Sequence, residues 1–354
     1  MPALLAILLG LLASSFVQAP ARAAQAPAVA VDIAPVHGLV ARVMQGIGEP
    51  TLILPPGASP HGYAMRPSEA RALQEADLVV WIGPELTPWL ARSIDSMAAD
   101  ARQLELLAYE GTQTLDYRDS ALFEEHDHGD EHGHDEAAEH DDDEHGHDEA
   151  AEHHGDEHGH DEVAEHHEDE GEHAHDDAHD HHHEGTDPHA WLDPVNGTVW
   201  LRAMAEALAE LDPANAENYR ANAEEGVAEL EALSAEIRAK LEPIAGARFI
   251  VFHDAYQYFE NRFDMQATGA VSLGDSTSPG PARVQAVRDL IQGAGVACVF
   301  AEPQFSPQLI DTLVEGTEVK TGTLDPIGAK LTPGEAFYPA LLDGLADGLL
   351  ACLG

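Results

Sequence analysis

The stretch DLVVWIGPELTPWLARSIDSMAA, residues 77–99, sets the fold class. Leu78 to Ile82 form an apolar run of buried-strand length that stops at Gly83-Pro84. The residues from Thr87 onward read as helix. A short apolar strand followed by an amphipathic helix is the unit of a parallel α/β sheet.

The unit recurs upstream. AVAVDIAPV, from Ala28, is another run of strand length, and GLVARVMQGIG follows with helical spacing and a terminal glycine. Leu52 to Leu54 give a short strand, then a Pro/Gly loop, with Ser68 as the expected N-cap of the next helix. It recurs downstream as well. RFIVF (248–252), VACVFAEP (296–303) and TEVKTGTLDPIG (317–328) read as strands, and 281–293, 306–315 and 335–353 as helices. Between the two halves lie Asp187 and Asp193, each able to start a turn, and a helix from Val199 to Leu211. A much longer helix then opens at Pro213 and runs to about Leu241, ahead of Pro243. Its heptad spacing is weak, so a strut bridging two domains through solvent is expected rather than a coiled coil. The expected architecture is two α/β lobes joined by one long helix, with a ligand site in the cleft between them. The divisions are a signal peptide (1–23), an N-terminal lobe (24–212), the linking helix (213–245) and a C-terminal lobe (246–354).

Charge is concentrated in one segment. The chain has 354 residues, 65 Asp+Glu, 17 Lys+Arg, 23 His and a formal net charge of -48. Residues 124–184 hold 28 of those acids, 19 of the histidines and no Lys or Arg. Such a balance excludes nucleic acid and anionic membrane surfaces as partners, and it does not exclude cations. EHGHDEAAEH occurs at 131–140 and 144–153 and, with one change, at 157–166. The segment has too few large apolar residues to offset its ordering entropy, so a disordered insertion is expected. Its imidazoles, among them His132, His134, His145, His147, His158, His160, His181, His182 and His183, point to weak secondary metal binding.

The N-terminus bears the marks of export. Ala3 to Val17 is an apolar run too short for a comfortable membrane span, and Ala21-Arg22-Ala23 offers a small-x-small cleavage site. No later stretch is apolar enough to span a bilayer, and no cysteine follows the signal to carry a lipid. A periplasmic protein without membrane insertion is expected. The two cysteines, Cys298 and Cys352, are an even count in an exported chain and point to a disulfide rather than two buried thiols.

Only His37, His61, His189 and His253 lie outside the acidic segment. His61 follows the loop LILPPGASP, His189 sits in TDPHAWLDP, and His253 directly follows RFIVF. Asp325 follows a strand in TGTLDPIG. Ligand sites of open α/β sheets gather at such carboxyl ends. Three imidazoles and a carboxylate are a donor set for tetrahedral zinc, although residues this far apart meet only if two lobes face each other. His37, at the start of the first predicted helix, is read as a helix-terminus histidine.

LPPGASPHGYAMRPSEARALQEADLVVWIGPEL (54–86), DPHAWLDP (187–194), FIVFHDAYQYFE (249–260), CVFAEPQFSP (298–307) and TGTLDPIG (321–328) carry a resemblance. They are similar, in order and over nearly all the mature chain, to the ZnuA-type periplasmic zinc-binding proteins of bacterial zinc ABC transporters. These belong to the metal-binding cluster of substrate-binding proteins. The resemblance implies two lobes on a rigid helix, and Zn2+ between them on His61, His189 and His253. It also implies a disulfide matching Cys298 and Cys352. The carboxylate of the fourth position falls on Asp325. Some relatives have a Glu before the first histidine, where Pro60 stands here, so the fourth ligand is Asp325 or a water. Manganese-binding members tend to have Glu where His253 stands, and a third imidazole favours zinc. The implied role is a monomeric binding protein that hands zinc to a membrane permease. A periplasmic zinc buffer without a transporter is the first alternative, and a zinc-dependent hydrolase or lyase the second. Asp254 and Glu302 lie near the site in sequence, as orienting groups or helix caps rather than general bases.

Overall fold

The computed structural model describes residues 26–118, 123, 185–272, 274 and 279–354. The expected signal peptide and the His-rich segment 124–184, with all of its histidines, lie outside the described residues.

The first lobe runs β1 (Val29–Val31), α1 (Ala34–Val43), β2 (Thr51–Leu52), α2 (Pro67–Gln74), β3 (Leu78–Trp81), α3 (Pro88–Met97) and β4 (Arg102–Glu105). Its strands are parallel, in the order β2-β1-β3-β4. After α4 (Pro194–Leu211) and α5 (Ala216–Leu241) the second lobe repeats the plan. It runs β5 (Phe249–His253), α6 (Gln257–Phe263), β6 (Gly269–Ser272), α7 (Pro281–Gly293), β7 (Cys298–Ala301), α8 (Pro307–Val314) and β8 (Lys320–Thr323), and closes with α9 (Phe337–Leu353). The order β6-β5-β7-β8 mirrors the first sheet, again all parallel. In each sheet the chain leaves the first strand on one side and returns on the other. The crevice at the carboxyl ends of β1/β3 and β5/β7 is therefore the place for a ligand.

Several boundaries move for local reasons. Helix α1 begins at Ala34, four residues before the expected start, because Pro35 fits the first turn. Ser68 is not the cap of α2. Pro67 opens that helix after Arg66, and the Glu69 carboxylate accepts from the Arg66 N–H at 2.6 Å. Helix α4 begins at Pro194 because the Asp193 side chain accepts from the Val195 N–H at 2.8 Å.

Helix α5 departs from the expected solvent-bridging strut. Tyr219, Ala223, Gly226, Val227, Leu230, Ile237 and Leu241 are buried against neighbouring helices. Ala223 and Gly226 let its neighbours approach closely in the first half of the helix. A Cβ on Gly226 would lie 3.0 Å from Leu201 Cδ1 and 3.1 Å from Arg42 Cγ. The helix touches α1, α4 and α9, and Lys240 meets Asp343 and Asp347 of α9. Cys298 on β7 is disulfide-bonded to Cys352 on α9, which fastens the last helix to the second sheet as expected. No helix among the described residues is long and apolar enough to cross a membrane.

Candidate metal centre

His61 sits in the irregular loop between β2 and α2, half-buried. The loop is held from outside: the Trp89 indole N–H donates to the Pro60 carbonyl at 2.8 Å, and Tyr63 packs edge-on against Trp89. His189 precedes a single 3-10 turn (Ala190–Leu192) and is 4% exposed. His253 ends β5 and is also 4% exposed.

The three rings converge. The His61 and His189 ring centroids are 5.6 Å apart, and those of His189 and His253 are 5.3 Å apart. Two imidazoles on one tetrahedral zinc, at about 2.0–2.1 Å from each nitrogen, place their ring centres about 5 Å apart. The spacing therefore fits a shared ion. Among the described residues no three such donors are already gathered closely enough to hold an ion.

Carboxylates orient two of the rings. Asp187 Oδ1 accepts from His189 Nδ1 at 2.7 Å and from the His189 backbone N–H at 3.0 Å. Glu302 Oε1 accepts from His253 Nδ1 at 2.7 Å. Each carboxylate faces Nδ1, so Nε2 is the ring nitrogen suited to a metal. Glu302 thus orients a site histidine, the role preferred for it over general base. Asp254 instead meets Arg118, whose guanidinium reaches Asp254 Oδ1 at 3.0 Å and Glu260 Oε2 at 2.7 Å.

Burial dominates the acid–base state of these groups. It pushes Asp187 up to about 7, against the pull of the His189 N–H and of Arg118. It does the same to Asp254, again opposed by Arg118. Arg118 itself stays charged, because the Glu260 and Asp254 carboxylates outweigh its own burial.

Asp325, like the three rings, belongs to no metal-holding group of three donors among the described residues. Its Oδ1 accepts from the backbone N–H groups of Gly328 at 2.8 Å and Ile327 at 3.3 Å, an Asx-type turn that follows β8. Burial raises its pKa. His37 lies inside α1, its Nε2 bonded to the Pro50 carbonyl at 3.1 Å, and burial lowers its pKa.

Sequence reading assigned no site role to Asp187, Arg118 or Tyr258. The Tyr258 hydroxyl donates to the Asp187 carbonyl at 2.7 Å and accepts from the Leu115 N–H at 2.9 Å, so α6 of the second lobe supports the His189 turn. The one available signal was the spacing of Asp187, two residues before His189, which suits an Asx turn.

The family description of a periplasmic zinc-uptake complex component A, ZnuA, matches residues 29–352. The chain belongs to the ZnuA family. It is 45% identical over 336 residues to the high-affinity zinc uptake system protein ZnuA of Paracoccus denitrificans, covering 95% of this chain and 94% of that one. It is 43% identical to the protein of the same name from Brucella abortus, covering 92% and 91%. Among solved structures, the periplasmic zinc-binding protein TroA from Treponema pallidum superposes with a TM-score of 0.68 at 16% identity, covering 93% of this chain and 99% of that one. That likeness shows the two-lobed fold. The ZnuA family is a family of periplasmic transport components, not of enzymes.

Proposed function

We propose that this ZnuA-family chain captures Zn2+ in the periplasm and delivers it, as a monomer, to the permease of an ABC-type importer. The ion is held between the lobes by His61, His189 and His253, with Asp325 or a water in the fourth position. The observation that carries this reading is the convergence of three imidazoles from both lobes, at 5.6 and 5.3 Å between neighbouring ring centres. Asp187 and Glu302 fix two of those rings with one nitrogen turned away from its carboxylate. Neutral imidazoles favour zinc over harder cations that seek oxygen. The names of the relatives from Paracoccus denitrificans and Brucella abortus support the same cargo.

Asp325 reaches a bound ion only if its carboxylate serves both its turn and the metal, and a water fills the position if it does not. The lobes 24–212 and 246–354, with 213–245 between them, are the bodies that a bound ion draws together. The test is elemental analysis of protein isolated from the periplasm without added metal, with residues 124–184 removed. One equivalent of tightly held zinc is the expected result. Protein that arrives metal-free and stays so in micromolar zinc contradicts the reading.

A further inference from the structure

His61, His189 and His253 are not mounted alike. The turn that carries His189 is fastened to the second lobe, which also holds His253. The Tyr258 hydroxyl donates to the Asp187 carbonyl at 2.7 Å, the Trp191 indole N–H to the Pro326 carbonyl at 2.8 Å, and the Tyr338 hydroxyl to the Trp191 carbonyl at 2.6 Å. His189 and His253 therefore share one support. His61 is carried by the first lobe, in the irregular stretch 53–66 between β2 and α2. It lies outside strand and helix, so its backbone takes its direction from local contacts.

The contact at the base of His61 comes from Trp89, the second residue of α3. Its indole N–H donates to the carbonyl of the buried Pro60 at 2.8 Å. The proline ring locks φ near about −65°, so a hold on its carbonyl restrains the one soft torsion left to Pro60. The peptide unit is planar, so the same hold sets the His61 nitrogen and Cα, from which the imidazole projects. The Trp89 end is firm. Leu90 and Ile94 of α3 are buried in the first lobe, and Trp89 packs on the same cluster. Tyr63 lies edge-on to the indole, with ring centres 5.5 Å apart. Its hydroxyl donates to Glu69 at 3.0 Å, and the Glu69 carboxylate accepts from the Arg66 N–H, so the chain leaving His61 is tied to the start of α2.

We propose that Trp89 is a positioning residue for zinc capture, setting the peptide plane that aims His61 at the pair formed by His189 and His253. The inference rests on the zinc-site reading above. Two ligands on one support offer an ion a partial site, and the third completes it. The cost of completion is the ordering of the stretch that carries His61, and a stretch already held in place has less order to gain. Trp89 acts through His61 rather than on the ion. Loss of its N–H leaves the donor set whole and the third ligand less well aimed.

The test uses the full chain with zinc as the probe, titrated against a chelator of known affinity, in Trp89→Phe, His61→Ala and the double variant. Trp89→Phe keeps a ring beside Tyr63 and removes the N–H. It is expected to weaken tight zinc binding by roughly threefold to tenfold, the worth of one hydrogen bond between uncharged groups. In the His61→Ala background the same substitution should cost nothing further, because the side chain it aims is gone. Unchanged affinity in Trp89→Phe overturns the proposal. So does an equal loss in both backgrounds, which marks a general weakening of the fold. The two readings fail separately. If His61→Ala retains tight zinc, the site assignment fails. If His61→Ala loses zinc while Trp89→Phe does not, only the positioning role fails.

Discussion

Asp187 Oδ1 holds His189 twice, by its ring Nδ1 at 2.7 Å and by its backbone N–H at 3.0 Å. The two bonds fix the direction of the ring. Replacing Asp187 by Asn keeps the shape but offers the ring a neutral, weaker acceptor or, if flipped, a donor. We expect Asp187→Asn to lower zinc affinity about tenfold to a hundredfold with the fold retained. Competition against a chelator of known affinity measures it, and unchanged affinity contradicts the orienting role.

The disulfide gives a stability prediction independent of metal. Cys298 and Cys352 are 54 residues apart, and the bond fastens α9 to the central part of the second sheet. Closing a loop of this length is worth about 4 kcal/mol in the chain-entropy treatment. The double Cys298→Ser, Cys352→Ser variant should unfold at distinctly lower urea, with its zinc site intact at room temperature. An unchanged midpoint in urea contradicts this.

Asp32 sets a pH dependence. Its carboxylate lies at the carboxyl end of β1, fully buried, and accepts from the N–H groups of Ile33 at 2.7 Å and Ile82 at 2.8 Å. Burial outweighs those donors and pushes its pKa from 3.8 to about 7. The folded state therefore binds the proton more tightly than the unfolded state. The stability this group contributes is fully present below pH 3.8 and is lost as pH rises toward 7. Across that window the loss amounts to roughly 4 kcal/mol. Urea melts of metal-free protein between pH 4.5 and 7.5 should show a shallower decline in Asp32→Asn than in the wild type. Equal slopes contradict the shift.

Residues 115–117 and 185–187, on either side of the His-rich segment, pair with each other. The Tyr117 N–H donates to the Gly185 carbonyl at 3.1 Å, the Asp187 N–H donates to the Leu115 carbonyl at 2.8 Å, and Asp116 pairs with Thr186 in an antiparallel bridge. Tyr117 and Gly185 lie side by side, so a short linker between them can replace the intervening chain without moving His189. We expect such a deletion to keep one tight zinc site and to lose several weak ones. Loss of tight binding on deletion would give the segment a direct ligand role.

Much of this was legible in the sequence. The apolar runs that became β1, β3, β5 and β7 stood out because central strands of parallel sheets are buried on both faces. Strand β4, RQLE, did not, because it is an edge strand with one fully buried residue, Leu104. Strand β6 is only GAVS and too short to carry a pattern. The packing of α5 was underread: Tyr219, Val227, Leu230, Ile237 and Leu241 stand at helical spacing, but Ala223 and Gly226 interrupt the large apolar residues. The histidines were few outside the acidic segment, so three of the four became candidates. Their carboxylate partners are a different case. Glu302 is 49 residues from His253 in sequence and meets it only because β7 lies beside β5. No local pattern encodes a neighbour created by strand order.

The central claim is that one zinc ion sits on three imidazoles drawn from both lobes. It is tested most directly by zinc titration, against a chelator of known affinity, of segment-deleted protein carrying His61→Ala, His189→Ala or His253→Ala singly. Each substitution should weaken tight binding by at least an order of magnitude, while the metal-free protein melts as the parent does. Tight binding preserved in all three would contradict the account.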